Sequence, residues 1–256
     1  MQRKNKQGKE HWRVLLATAL PLLVLLLSAV GLALPARTEP STPSATEPPL
    51  TVAATLPPTE PTPSVAAPSV DDPLLLLVNA SHPLTEEYAP ELTRLQDWEL
   101  SVATVCYDDL KAMLAAGRAQ GLSFQIASAY RTREEQKNLF DEDVKARMDD
   151  GMSEAEAKAE TAHYTMEAGC SEHETGLALD IVAMSNQLLD ETQEQTGETR
   201  WLHAHAWEYG FILRYPKDKE DITGVSYEAW HYRYVGKEAA AYLTENNLTL
   251  EEYLGG

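Results

Sequence analysis

An α+β domain, with a small and mainly antiparallel sheet flanked by helices, is the fold the sequence predicts for residues 73–256. Three observations carry that prediction. Short apolar or alternating stretches at 122–129, 177–182, 211–214 and 230–235 read as strands. Longer stretches at 107–120, 132–149, 153–167, 198–209 and 237–246 carry helical spacing or helix-start signals. The two kinds are mixed without strict alternation, which argues against a doubly wound parallel sheet. Ahead of the domain the sequence predicts a cytoplasmic basic segment (1–13), a transmembrane signal anchor (14–34) and a disordered linker rich in Pro, Thr and Ser (35–72).

The anchor is predicted because 14–34 holds no charged residue and is dominated by Leu, Val and Ala. Its 21 residues are enough to cross a bilayer. The basic residues before it place the N-terminus in the cytoplasm and the domain outside. A cleaved signal peptide is the rival, in which case the domain is secreted. Leu34-Pro35-Ala36 supplies only one of the two small residues such a cleavage site needs. The linker has few large apolar residues and cannot offset its ordering entropy by burial. As extended polyproline it reaches roughly 110 Å, a stalk between membrane and domain.

Within the domain, 74–78 reads as a strand or an anchoring extended segment, followed by a turn at Ser81, His82 and Pro83. Leu110, Met113 and Leu114 lie at helical spacing, and Gly121 stands as the C-cap. Phe124 and Ile126 share one face of the next strand. Thr132 with Glu135, then Ser153 with Glu156, form capping boxes that open two helices. A polar loop is expected at 186–198 and a charged one at 217–223. A last helical turn is expected from Thr249.

The net charge of −19 is unevenly spread. The first 37 residues contribute +5, from six basic residues and one acidic, which leaves −24 for the rest. Such a domain repels nucleic acid. Two cysteines, Cys106 and Cys170, exclude a disulfide scaffold and a thiolate zinc finger. They form either one bridge or two free thiols.

The chemistry concentrates in Ser171-Glu-His-Glu-Thr-Gly-Leu-Ala-Leu-Asp180 and Glu228-Ala-Trp-His231. Asp180 falls in an apolar strand, where a carboxylate needs a partner. Hydrolytic zinc takes three protein ligands and leaves one position for water. His173, Asp180 and His231 fit that count, and Glu228 is placed to act as general base. Singly, each such residue is more often a satisfied polar group, and the weight rests on the set. His82 and His163 have no supporting context, and His203 and His205 read as surface histidines. Arg131, at the end of a strand, offers a guanidinium that could bind a terminal carboxylate in bidentate fashion. The bland alternatives are pairing with a surface acid for Arg131 and exposure to solvent for Gln136.

Together with Ser-Ala-Tyr-Arg-Thr at 128–132, Gly-Phe-Ile-Leu-Arg-Tyr-Pro at 210–216 and Glu-Ala-Trp-His-Tyr-Arg-Tyr-Val-Gly at 228–236, these motifs resemble the VanY-type D-alanyl-D-alanine carboxypeptidases. Those are zinc peptidases of bacterial cell walls and include L,D-carboxypeptidases. The resemblance covers most of 73–254. It implies Zn²⁺ held by His173, Asp180 and His231, Glu228 as catalytic base and Arg131 as a substrate or transition-state contact. It also implies Ser128, Gln136 and Ser171 as pocket residues. Peptidoglycan stem peptides follow as substrate, in an enzyme tied to the bacterial membrane by its N-terminal anchor. Ala129 and Thr132 stand where the family often has Gly and Ser, which bears on pocket shape. A non-catalytic wall-binding zinc module and an endopeptidase of the same chemistry are the competing functions.

Overall fold

The computed structural model describes residues 66–255. The predicted anchor and most of the predicted linker lie outside them. Among the described residues no helix is long and apolar enough to cross a membrane. The chain is tied to the domain from Pro68, whose carbonyl accepts the Tyr253 hydroxyl.

Strands β1 (Leu92–Leu95) and β2 (Leu100–Ala103) form an antiparallel hairpin that the sequence pattern did not reveal. Strands β3 (Phe124–Ser128), β4 (Ala178–Ala183), β5 (Phe211–Leu213) and β6 (His231–Tyr234) form one antiparallel sheet in the order β3-β4-β6-β5. The short, mainly antiparallel sheet predicted from sequence is therefore present. Every residue of the two central strands, β4 and β6, is buried, so their alternation separates two covered faces rather than core from solvent. On one face Leu179, Ile181, Tyr232 and Tyr234 join the main core with Leu110 and Met113 of α1 (Tyr107–Ala119). The other face carries Asp180, His231 and Arg233. Beside it a second core of Ile212, Val235, Ala239, Leu243 and Leu250 packs the two C-terminal helices, Lys237–Glu245 and Leu250–Leu254. Period-two geometry thus puts the ionisable residues on one side of the sheet.

Both predicted capping boxes form, at the starts of α2 (Arg133–Asp149) and α3 (Glu154–Thr161). Helix α3 ends at Thr161, short of the predicted 167. Beyond it the backbone turns to other partners. The His163 carbonyl accepts from Ser226 N–H, and the Met166 carbonyl accepts from the Gln136 side chain. The helix predicted at 198–209 is split into α4 (Gly197–His205) and a 3₁₀ turn, Ala206–Tyr209. A 3₁₀ turn, Pro73–Leu75 capped by Asp72, opens the segment 74–78 expected as a strand or an anchoring extended stretch, and another, Glu191–Gln195, takes part of the expected loop at 186–198. One helical turn, α5 (Glu220–Thr223), occupies the expected charged loop. Helices α6 (Lys237–Glu245) and α7 (Leu250–Leu254) close the chain, the latter with its own capping box at Thr249 and Glu252.

Gly176 ends the turn that carries His173. Its φ is +70°, and a Cβ there would lie 2.8 Å from the Ala103 backbone nitrogen. Gly176→Ala combines left-handed backbone with a clash against an immovable strand. It should cost about 2–4 kcal/mol, measured as a lower urea midpoint at unchanged slope.

Both cysteines are free, so of the two states left open above, the unbridged one is found. Burial pushes the Cys106 thiol up to about 12, and its Sγ points at the Ala103 carbonyl 3.1 Å away. Iodoacetamide at pH 8 should therefore alkylate the half-buried Cys170 and spare Cys106 until the fold opens. Mass mapping of the adducts checks this.

Candidate metal centre

The centre is assembled from one turn and the sheet face that carries charge. The 3₁₀ turn Glu172–Thr175 presents His173, and Gly176 then lets the chain enter β4. In the register of the sheet, Asp180 of β4 lies directly opposite His231 of β6, and on its other side opposite Ser128 of β3. An irregularity between Ile126 and Ser128 bends the end of β3, so that the chain runs on into Arg131 beside the turn. The Arg131 N–H donates to the His173 carbonyl at 3.2 Å.

The side chains of His173, Asp180 and His231 converge, with one ligand atom of each within 4.8 Å of the others. His173 Nε2 is 3.4 Å from Asp180 Oδ2, and His231 Nδ1 is 3.3 Å from Asp180 Oδ1. The second nitrogen of His173, Nδ1, lies 2.8 Å from the Ala129 carbonyl, which can only accept. That fixes Nδ1 as the protonated atom and leaves the Nε2 lone pair facing the triangle. Glu228 stands beside the set, with Oε2 3.3 Å from His231 Nδ1.

The electrostatics ask for a cation. Burial lowers the His173 pKa, which favours the neutral imidazole that a metal needs. Burial also opposes ionisation of Asp180, but His173 and His231 more than offset it and keep the carboxylate charged. Burial likewise disfavours charge on His231. Asp180, Glu172 and Glu228 overcome it and pull the His231 pKa well above its usual value. Three carboxylates, of Asp180, Glu228 and Glu172, lie within 3.3–3.6 Å of the one buried imidazole of His231, which leaves the site short of positive charge. Asp180 Oδ1 and His231 Nε2 are moreover buried without a hydrogen-bond partner. A divalent cation bound by two imidazoles and a carboxylate supplies the charge, and these residues fit it. Among the described residues no fourth His, Cys, Asp or Glu joins the cluster. Burial raises the Glu228 pKa above the ordinary carboxylate value, in the direction that suits a general base.

Arg131 has the partners of an anion site rather than of an ion pair. Its Nη1 donates to Gln136 Oε1 at 2.6 Å and its Nη2 to Ser128 Oγ at 2.8 Å. Both acceptors are neutral. Gln136 does not face solvent. It is 1% exposed and clamps Arg131 on one side while donating to the Met166 carbonyl on the other. Ser171 is buried just ahead of the His173 turn, where its hydroxyl caps nothing.

Sequence reasoning missed a set of buried charges behind the ligands. Glu172, Arg214 and Arg233 have fully buried side chains, and Glu251 is nearly so. Glu172 Oε1 accepts from Arg214 Nε and Arg233 Nη1, each at 2.8 Å, and Arg214 grips both oxygens of Glu251 at 2.6 and 2.9 Å. Two arginines inside predicted strands were the available signal, since a guanidinium buried in a sheet must be paired.

The family model of VanY, D-alanyl-D-alanine carboxypeptidase, matches residues 99–237. A D-alanyl-D-alanine carboxypeptidase of Enterococcus faecalis is 42% identical over 182 residues, covering 70% of this chain and 65% of its own length. The chain spans about two thirds of the curated relatives it matches. Solved structures agree. VanYB in complex with D-alanine-D-alanine is 41% identical, with a TM-score of 0.65 over 71% of this chain and 97% of the other. A glutamate-to-alanine mutant of the vancomycin-resistance D,D-pentapeptidase VanY, in complex with Zn(II), is 41% identical, with a TM-score of 0.63 over 70% and 98%. With the sheet, the three converging ligands and the sequence in accord, the chain belongs to the VanY family of D-alanyl-D-alanine carboxypeptidases.

Proposed function

We propose that this protein is a zinc-dependent carboxypeptidase that removes the terminal D-alanine from peptidoglycan stem peptides. The observation that carries the reading is the meeting of three buried ligands with one carboxylate to spare and a guanidinium held only by neutral groups. His173, Asp180 and His231 would hold the ion. When bound, zinc lowers the pKa of a water towards neutrality and polarises a carbonyl.

The chain's own groups supply the rest. Arg131, aimed by Ser128 and Gln136, binds the free carboxylate at the end of the stem and sets the last peptide bond against Glu228. Glu228 takes the proton of the attacking water and returns it to the leaving amine. Its raised pKa suits both halves of that transfer. The guanidinium also lies near enough to the ligand turn to favour negative charge on the carbonyl oxygen as the tetrahedral state forms.

The test is to incubate the protein with defined tetrapeptide and pentapeptide stems, with and without chelator, and to weigh the products. Loss of one alanine from the pentapeptide marks D,D cleavage, and loss from the tetrapeptide marks L,D cleavage. Either should stop with chelator. A zinc-loaded protein that leaves both stems intact would defeat the enzyme reading in favour of a wall-binding module. Internal fragments would mark an endopeptidase. We propose further that residues 14–34 anchor the enzyme in the bacterial membrane with its domain outside, and that the linker from 35 up to Pro68, where the chain joins the domain, serves as the stalk. The uncharged run behind a basic segment supports this. Protease shaving of intact cells should release the domain.

A further inference from the structure

His173 and His231 reach the same triangle by different nitrogens. For His173 the outward nitrogen, Nδ1, meets a backbone carbonyl. For His231 the inward nitrogen is Nδ1, 3.3 Å from both Asp180 Oδ1 and Glu228 Oε2. Its outward nitrogen, Nε2, lies 3.6 Å from Glu172 Oε2. Both of these outer atoms are buried, and neither has a hydrogen-bond partner among the described residues.

We propose that Glu172 is the positioning residue of His231. Its Oε2 takes the Nε2–H of the imidazole and so presents the Nδ1 lone pair to the cation, while Arg214 and Arg233 hold the carboxylate at the required angle. The argument is one of geometry. Both guanidiniums bind Oε1 at 2.8 Å, which leaves Oε2 as the free oxygen of a carboxylate that cannot turn. The arginines are themselves fixed from outside the site. Arg214 is gripped by Glu251 of α7, and Arg233 Nη2 donates to the Leu74 and Leu76 carbonyls at 3.0 and 2.9 Å. The ring of Tyr215, 4.8 Å from that of His231, closes a further side. A carboxylate bonded to the far nitrogen of a ligating histidine sets its tautomer and raises its donor strength, and loss of such a partner weakens metal binding.

This inference rests on the zinc reading above, and its test separates the two. Zinc affinity is measured by chelator competition on the full-length protein, its Glu172→Gln variant and its Glu251→Gln variant. Zinc-loaded wild type is also examined by nitrogen NMR of His231. The expected result is a zinc Kd raised about 10–100-fold in Glu172→Gln. Any rise in Glu251→Gln should be smaller, because Arg233 still holds Glu172 Oε1 when Arg214 is loosened from its far end. The NMR should show Nδ1 coordinated and Nε2 protonated. Unchanged affinity in Glu172→Gln, equal weakening in both variants, or coordination through Nε2 would each overturn the inference and leave the zinc reading standing. The NMR arm needs no variant, so a misfolded Glu172→Gln does not shelter the idea. A wild type that takes up no zinc overturns both.

Discussion

Glu228→Ala should lower kcat by about 10²–10⁴-fold while the zinc content of the purified protein stays at the wild-type level. Glu228 is not one of the three clustered ligands, yet its Oε2 reaches within 3.3 Å of His231 Nδ1. It is 9% exposed, so the alanine leaves room for a water rather than a collapsed wall. On the proposed mechanism, removing it takes away the proton acceptor, while the triangle of His173, Asp180 and His231 keeps all its members. Steady-state kinetics on the preferred stem, paired with metal analysis of the same preparation, checks both halves. Full activity would remove Glu228 from the chemistry. Loss of zinc would make it a ligand instead of a base.

Arg214→Met should be the most damaging substitution for stability. Arg214 is fully buried between Glu172 and Glu251, and the methionine would leave both carboxylates without their main cation. Breaking a buried pair from one side costs about 3–5 kcal/mol, or roughly 6–20 °C of Tm for a domain of this size. The pH dependence follows from the wild-type arrangement. Burial opposes ionisation of Glu172, and Arg214 and Arg233 more than offset it, so its carboxyl lies well below the ordinary range. A lowered folded pKa gives stability that is present above the unfolded value of about 4.3 and is lost as pH falls through the folded one. In Arg214→Met only Arg233 opposes the burial cost, so less of this pH-dependent stability is there to lose, and the gap between wild type and variant should narrow as pH falls below about 4.3. Urea midpoints of both proteins at about pH 7 and about pH 3, on either side of that value, check this. Equal midpoints for variant and wild type would show that the pair contributes nothing net.

What could be read in the sequence was mostly local. Thr132 with Glu135 and Ser153 with Glu156 announce their helices because capping needs only a few neighbouring residues. Asp180 stood out because a carboxylate in an apolar strand requires an explanation. The β1–β2 hairpin escaped notice because its turn carries a positive φ on Glu99 rather than on glycine or asparagine, and so leaves no turn signature. Helix α3 was overextended because Ala, Glu and Lys favour helix, while what ends it, pairing with Ser226 and Gln136, lies far off in sequence. Gln136 was undervalued for the same reason, since its two partners, Arg131 and Met166, come together only in the fold. The guanidinium pair behind the ligands depends on contacts 42 and 61 positions apart, which no local pattern encodes.

The grip of Arg233 on Leu74 also dictates a timetable. The two residues are separated by 159 positions, so the first turn of the domain cannot be locked until β6, the last strand among the described residues, exists. At about 5–20 residues per second on the ribosome, that is a wait of roughly 8–30 s. Through that interval the first turn lacks its Arg233 partner, and completion of the chain, rather than its beginning, closes the molecule.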